Sequence, residues 1–97
     1  MSSTPRDLRF QARALQQIDE ALGYVQARSP QGAAKIEARL THLLQRLREH
    51  PQLGVRTSVA DVRRIFLVPY PYLVDYLVTD AAIIVQRFRH TARRPVP

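Results

Sequence analysis

The stretch VADVRRIFLVPYPYLVDYLVTDAAIIVQRFR, running from Val59 to Arg89, decides the fold. Three runs within it, Val59 to Val68, Tyr72 to Thr79 and Ile83 to Arg89, are rich in the β-branched and aromatic side chains that fit a pleated, half-buried surface. Pro69-Tyr70-Pro71 and Asp80-Ala81-Ala82 separate them. The spacing predicts a three-stranded antiparallel meander. Charged and apolar residues interleave in Arg63-Arg64-Ile65-Phe66 and Gln86-Arg87-Phe88-Arg89, so basic side chains are expected to emerge from the sheet itself.

Such a sheet needs a cover, and the first half of the chain supplies one. From Ala12 to Arg28, Leu15, Ile18, Leu22 and Val25 recur at spacings of three and four with Ala14 and Ala21 nearby, one face of an amphipathic helix. Ser29-Pro30 then pairs a good N-cap with a residue suited to the first helical position, where a missing N–H loses nothing. The second helix carries the stripe Ala33, Ile36, Leu40, Leu43, Leu44 and Leu47 to about Glu49 and stops before Pro51. So short a connection forces an antiparallel hairpin. Ahead of it, Leu8-Arg9-Phe10 alternates in the manner of a short strand that completes a sheet formed elsewhere. The expected fold is α+β, in the order strand, helix, helix, three strands, with the helical hairpin against one sheet face.

Ninety-seven residues fit one domain, expected to span 1–97. Fifteen Lys+Arg against eight Asp+Glu give a net charge of +7, carried by fourteen arginines and Lys35 alone. A surface of this kind attracts acidic partners or nucleic acid, and arginine grips planar anions with a bidentate fork. The absence of cysteine removes disulfides, thiolate nucleophiles and sulfur-based zinc sites. No apolar run approaches the roughly 20 residues of a membrane span, and the amino terminus has no apolar core of a signal peptide, so a cytoplasmic location is expected. Gly23, Gly32 and Gly54 form no phosphate loop, His42, His50 and His90 form no spaced ligand set, and Asp19, Glu20 and Glu37 read as solvated helix faces. Neither metal nor cofactor is expected.

Chemistry concentrates in the carboxyl-terminal third, where Arg63, Arg64, Arg87, Arg89, His90, Arg93 and Arg94 accumulate around Tyr70, Tyr72 and Tyr76. Arginine with aromatics suits RNA binding, by phosphate pairing and base stacking. The alternative reading makes Tyr72 and Tyr76 half-buried sheet residues and the arginines a solvating edge. Cleavage of RNA would need a base, an acid and cations around the phosphorane charge, roles open to His90 or a tyrosine and to Arg64 and Arg87.

Ala33-Ala34-Lys35-Ile36, His50-Pro51-Gln52-Leu53-Gly54, Val62-Arg63-Arg64, Tyr70-Pro71-Tyr72-Leu73-Val74-Asp75-Tyr76 and the ending Arg89-His90-Thr91-Ala92-Arg93-Arg94-Pro95 occur in an order that resembles the ParE/RelE toxins of type II toxin–antitoxin modules. The resemblance covers nearly the whole chain and implies a helical hairpin on a small antiparallel sheet. In the RelE-like branch, ribosome-dependent messenger-RNA cleavage uses basic residues of the open sheet face. The resemblance places Leu73 where that branch has an arginine, and Phe66 where it has a second basic residue. A ribonuclease would have to rely on Arg64, Arg87, His90 and Arg93.

The Tyr-Pro-Tyr-Leu-Val-Asp-Tyr strand and the His-x-x-Arg end look more like the ParE-like branch, whose characterised members poison DNA gyrase. That resemblance points to Arg87, Arg89, His90, Arg93 and Arg94 as target-binding residues. It also implies a ParD-like antitoxin whose acidic carboxyl-terminal segment wraps the toxin in a hetero-oligomer. Arg13, Arg39 and Arg46 on the helices and Arg63, Arg64, Phe66 and Tyr72 on the sheet are the expected contacts. An inactive antitoxin-binding module is the third reading.

Overall fold

The computed structural model of the protein describes residues 5–92. In chain order these form strand β1 (Asp7–Phe10), helices α1 (Ala12–Arg28) and α2 (Pro30–Glu49), a 3-10 turn (Pro51–Leu53), and strands β2 (Val55–Arg56), β3 (Val62–Phe66), β4 (Tyr72–Val78) and β5 (Ala82–His90). The fold is α+β, with the hairpin of helices on one face of the sheet as the patterns predict.

Ser29 accounts for the sharp break between the helices. Its hydroxyl accepts from the Gly32 N–H at 3.0 Å, and Pro30 takes the first helical position. Its own N–H donates to the Val25 carbonyl at 2.7 Å, so one residue closes α1 and opens α2. All of the predicted α2 stripe, Ala33, Ile36, Leu40, Leu43, Leu44 and Leu47, is buried. On α1 the face is rotated from the expected one. Ile18, Ala21, Leu22 and Val25 pack on the core, but Leu15 is 48% exposed and Ala14 is fully buried in its place. The close approach of α1 to β5 explains the exchange: Gln17 Oε1 accepts the Phe88 N–H at 2.8 Å, which leaves room for a small residue one turn before and turns Leu15 about 100° away.

The sheet has five strands in the order β1-β5-β4-β3-β2. β3, β4 and β5 form the expected antiparallel meander. β1 runs parallel to β5, with Leu8 opposite Ile83 and Phe10 opposite Val85, so the sheet is mixed rather than antiparallel throughout. β2 is an additional two-residue strand opposite Arg63 and Arg64. Alternation in a short segment specifies that it is extended, but not its partner or direction.

β3 starts at Val62 rather than Val59. Thr57 Oγ1 accepts the Val59 N–H at 3.1 Å and donates to the Val62 carbonyl at 3.0 Å, and Asp61 takes a left-handed conformation with φ of 64°. Hydrogen bonds of this turn override the β propensity of Val59, which is left exposed. β5 gains Ala82 and His90 at its ends, and β4 stops at Val78, one residue before the expected Thr79.

Between the layers, Leu47, Leu67, Val74, Tyr76, Ile83 and Val85 are the largest fully buried side chains. Tyr76 also fastens α2 to the sheet. Its hydroxyl donates to the Pro51 carbonyl at 2.7 Å and accepts from the Gly54 N–H at 2.8 Å. A Cβ at Gly54 would stand 2.6 Å from that oxygen, so the close approach of backbone to phenol requires glycine there.

Candidate functional site

Alternation along β3, β4 and β5 sorts their side chains between two faces. Tyr72, Val74, Tyr76, Ile83, Val85 and Phe88 meet the helices in the core. Arg64, Phe66, Leu73, Asp75, Arg87 and Arg89 occupy the intervening register positions on the open face. A register shift between Asp75 and Tyr76 leaves Gln86 unmatched, which is how Val85 and Phe88, three apart, both reach the core.

The arginines and tyrosines that interleave in the sequence therefore separate. Tyr72 and Tyr76 are buried, not half-buried, and Tyr72 stacks on Phe88 with ring centroids 5.0 Å apart. Neither ring is free to take a base. The open face instead carries two cross-strand rows by register: Val55, Arg64, Asp75 and Arg87, and beside it Phe66, Leu73 and Arg89.

The first row is organised by Asp75, a buried carboxylate in a strand of otherwise apolar and aromatic residues. Arg64 grips it bidentately, Nε to Oδ1 at 2.8 Å and Nη2 to Oδ2 at 3.3 Å. That hydrogen-bonded pairing raises the Arg64 pKa above its ordinary value, with burial working against it and the Asp75 charge adding to it. Arg87, opposite Asp75 in register, is exposed and makes no ion pair among the described residues. In the second row Leu73 is buried although no helix covers it, and the Arg89 Nε is buried without a hydrogen-bond partner among the described residues.

Other predicted contacts scatter. Arg63 points to the opposite face from Arg64, its Nη1 donating to the Gly54 carbonyl at 2.8 Å. Arg39 donates from Nε to the Val68 carbonyl at 2.9 Å, while Arg13 and Arg46 are exposed on the helices. Phe66 is 49% exposed on the open face, and Tyr72 is buried at the end of the sheet. His90 lies on the helix side, edge-on to Tyr72 at 5.3 Å. Its Nδ1 accepts the Ala92 N–H at 3.1 Å, which places the proton of the neutral ring on Nε2. Gln17, Tyr24, Tyr72, Phe88, Arg89 and His90 line a groove of about 590 Å³ between α1 and the end of β5. Arg93 and Arg94 lie outside the described residues.

A family model described as the ParE toxin of type II toxin-antitoxin system, parDE, matches residues 8–95. The chain belongs to the ParE toxin family. It is 35% identical over 81 residues to Toxin RelE2 of Caulobacter vibrioides, a match that covers 84% of this chain and 90% of that protein. In fold it resembles the chromosomal ParDE toxin–antitoxin system of P. aeruginosa, with a TM-score of 0.77 at 19% identity, over 91% of this chain and 98% of that one. It also resembles the isolated E. coli RelE toxin, with a TM-score of 0.69 at 20% identity, over 92% and 87% of the two chains.

In this ParE-family chain the open face can grip anions through Arg87 and Arg89, but it is poorly equipped for proton transfer. Arg64 is engaged by Asp75, Phe66 and Leu73 are apolar, and His90 is across the sheet. His42 and His50 are exposed, the latter closing α2 with its N–H on the Arg46 carbonyl. Asp19, Glu20 and Glu37 are exposed on the helices. Among the described residues no cluster of three His, Cys, Asp or Glu could hold a metal ion, and no helix is long and apolar enough to cross a membrane. Asp75 is the organising residue that sequence reasoning missed; the available signal was a lone carboxylate inside the run Tyr72-Leu73-Val74-Asp75-Tyr76-Leu77-Val78.

Proposed function

We propose that this ParE-family toxin arrests bacterial growth in the cytoplasm by poisoning DNA gyrase, and that a cognate antitoxin neutralises it by direct binding. The observation that carries this reading over RNA cleavage is the composition of the open face. Phe66 and Leu73 stand opposite one another where a ribonuclease of the RelE-like branch is expected to place cations, and Arg64 beside them is already committed to Asp75. Removing a transition-state cation of this kind typically costs about 3 kcal/mol, and two are missing here. Arg87 and Arg89 remain to hold a target, with His90 at the end of β5; the resemblance adds Arg93 and Arg94, which lie outside the described residues. A net charge of +7 suits an antitoxin with an acidic, disordered segment that folds on contact.

The test is to incubate the purified protein with gyrase, supercoiled plasmid and ATP and to look for linear DNA after protein removal. Linear product in proportion to added toxin is expected, diminished by Arg87→Gln. No linear product from protein that still binds its antitoxin would overturn the gyrase reading. Cleavage of ribosome-bound messenger RNA in a parallel reaction would then assign the RelE-like activity, and absence of both would leave an antitoxin-binding module.

A further inference from the structure

We propose that the cleft at the opposite end of the sheet from His90 is a second anion site, one that takes the phosphate group of a nucleotide or of a nucleic-acid backbone. The cleft encloses about 630 Å³ between the lead into β1, the loop joining β2 to β3 and the turn joining β4 to β5. A volume of this order holds a nucleotide-sized ligand rather than a bare ion. The proposal does not rest on the gyrase reading.

Three arginines from separate segments, Arg6, Arg56 and Arg63, line it. Two of them are anchored by the protein through a single N–H each. Arg6 Nε donates to the Thr79 carbonyl at 2.8 Å, and Arg63 Nη1 donates to the Gly54 carbonyl at 2.8 Å. Arg6 is held further by its main chain, whose carbonyl accepts from Arg48 Nε at 2.7 Å and whose N–H donates to the Arg48 carbonyl at 3.2 Å. Each guanidinium has five N–H donors, so four on each are left over after anchoring, in groups that have already lost most of their conformational freedom. Arg56 is exposed and makes no hydrogen bond from its side chain to the described residues.

Asp61 and Asp80 also line the cleft, yet neither forms an ion pair with these arginines. The cleft lining therefore carries three guanidinium groups, none ion-paired, and two carboxylates, a positive balance. A single carboxylate ligand would satisfy one guanidinium edge, whereas a tetrahedral phosphate offers oxygens in several directions and matches donors arriving from several segments. An acidic peptide would bring further carboxylates against Asp61 and Asp80. A nucleotide presents hydroxyls and N–H groups that those carboxylates can accept from. The Ser58 hydroxyl, on the cleft wall, adds a neutral donor.

The experiment is an NMR titration of the full-length protein, isotopically labelled, with inorganic phosphate, with adenosine monophosphate, with a short single-stranded oligonucleotide and with a glutamate-rich peptide. Chemical-shift changes are expected at Arg56, Ser58, Arg63 and Thr79 with the phosphate-bearing ligands. Arg56→Gln, at an exposed position, and Arg6→Gln should each weaken that binding roughly tenfold, the loss of a charge-assisted hydrogen bond. Response to the mononucleotide identifies a free nucleotide as the ligand, and response to the oligonucleotide alone identifies the nucleic-acid backbone; both uphold the site. Shifts confined to Arg64, Arg87 and Arg89, affinity indifferent to Arg56→Gln and Arg6→Gln, or a cleft that responds only to the glutamate-rich peptide would each overturn it. The gyrase assay scores the other proposal separately, because none of these outcomes depends on it.

Discussion

Tyr76 and Asp75 are neighbours in sequence, face opposite sides of the sheet, and each secures a different junction. The Tyr76 phenol, fully buried, links the Pro51 carbonyl to the Gly54 N–H. Tyr76→Phe removes both hydrogen bonds at once, leaving the Pro51 carbonyl and the Gly54 N–H unpaired, and should lower unfolding free energy by about 1–3 kcal/mol, measured by urea denaturation. Burial raises the Tyr76 pKa above its ordinary 10.0, outweighing the Gly54 hydrogen bond and the nearby Arg63 charge, which lower it. A folded-state pKa raised above the unfolded value contributes stability that is whole below pH 10.0 and is lost as pH climbs through the folded value. Stability of the wild type should therefore decline above pH 10.0 more steeply than that of Tyr76→Phe; parallel profiles would refute this assignment. Asp75→Asn keeps shape and removes charge, so it should cost about 1–2 kcal/mol with Arg64 left half-exposed. A double-mutant cycle with Arg64→Gln should return a coupling of about 1 kcal/mol, and a coupling near zero would mean the bidentate pair is ornamental to stability.

Among the elements, the helical hairpin depends on a single residue, since Ser29 closes α1 and caps α2. Ser29→Ala should destabilise the protein by about 1 kcal/mol and raise amide exchange in the first turn of α2 while leaving β4 unaffected. Equal protection in both variants would show that Pro30 alone sets the boundary. The α2 stripe was fully legible in the sequence because a long helix repeats its signal over many turns. The α1 face was legible only to within one position: periodicity places a stripe, but the Gln17 contact with Phe88 on β5 decides that Ala14 is inside and Leu15 outside. β3 was legible in kind and overextended in length, because the Thr57 and Asp61 turn is written in hydrogen bonds rather than in hydrophobicity. β2, two residues long, is too short to carry a period at all.

Over the whole molecule, the excess of arginine is distributed over both sheet faces and both helices rather than gathered into one patch. Association with the acidic antitoxin segment proposed above should accordingly be steered by long-range charge, its rate falling with added salt and the fall reduced in Arg87→Gln with Arg89→Gln. A rate constant indifferent to ionic strength would count against steering. Arg63 and Arg64, adjacent in sequence, are unsuited to act together in that contact, since one is tied to Gly54 on the helix side and the other to Asp75 on the open face. The order of elements, the helical stripes, the meander and the family resemblance were all determined by sequence alone, because each is a repeating or ordered local pattern. Which face each arginine occupies in three dimensions, the joining of Arg64 to Asp75, the separation of tyrosines from arginines and the cleft shared by Arg6, Arg56 and Arg63 were decided only by tertiary structure. A bulge at Gln86 is enough to shift the phase of a strand, and a cleft is made by segments whose distance in sequence carries no information about their distance in space.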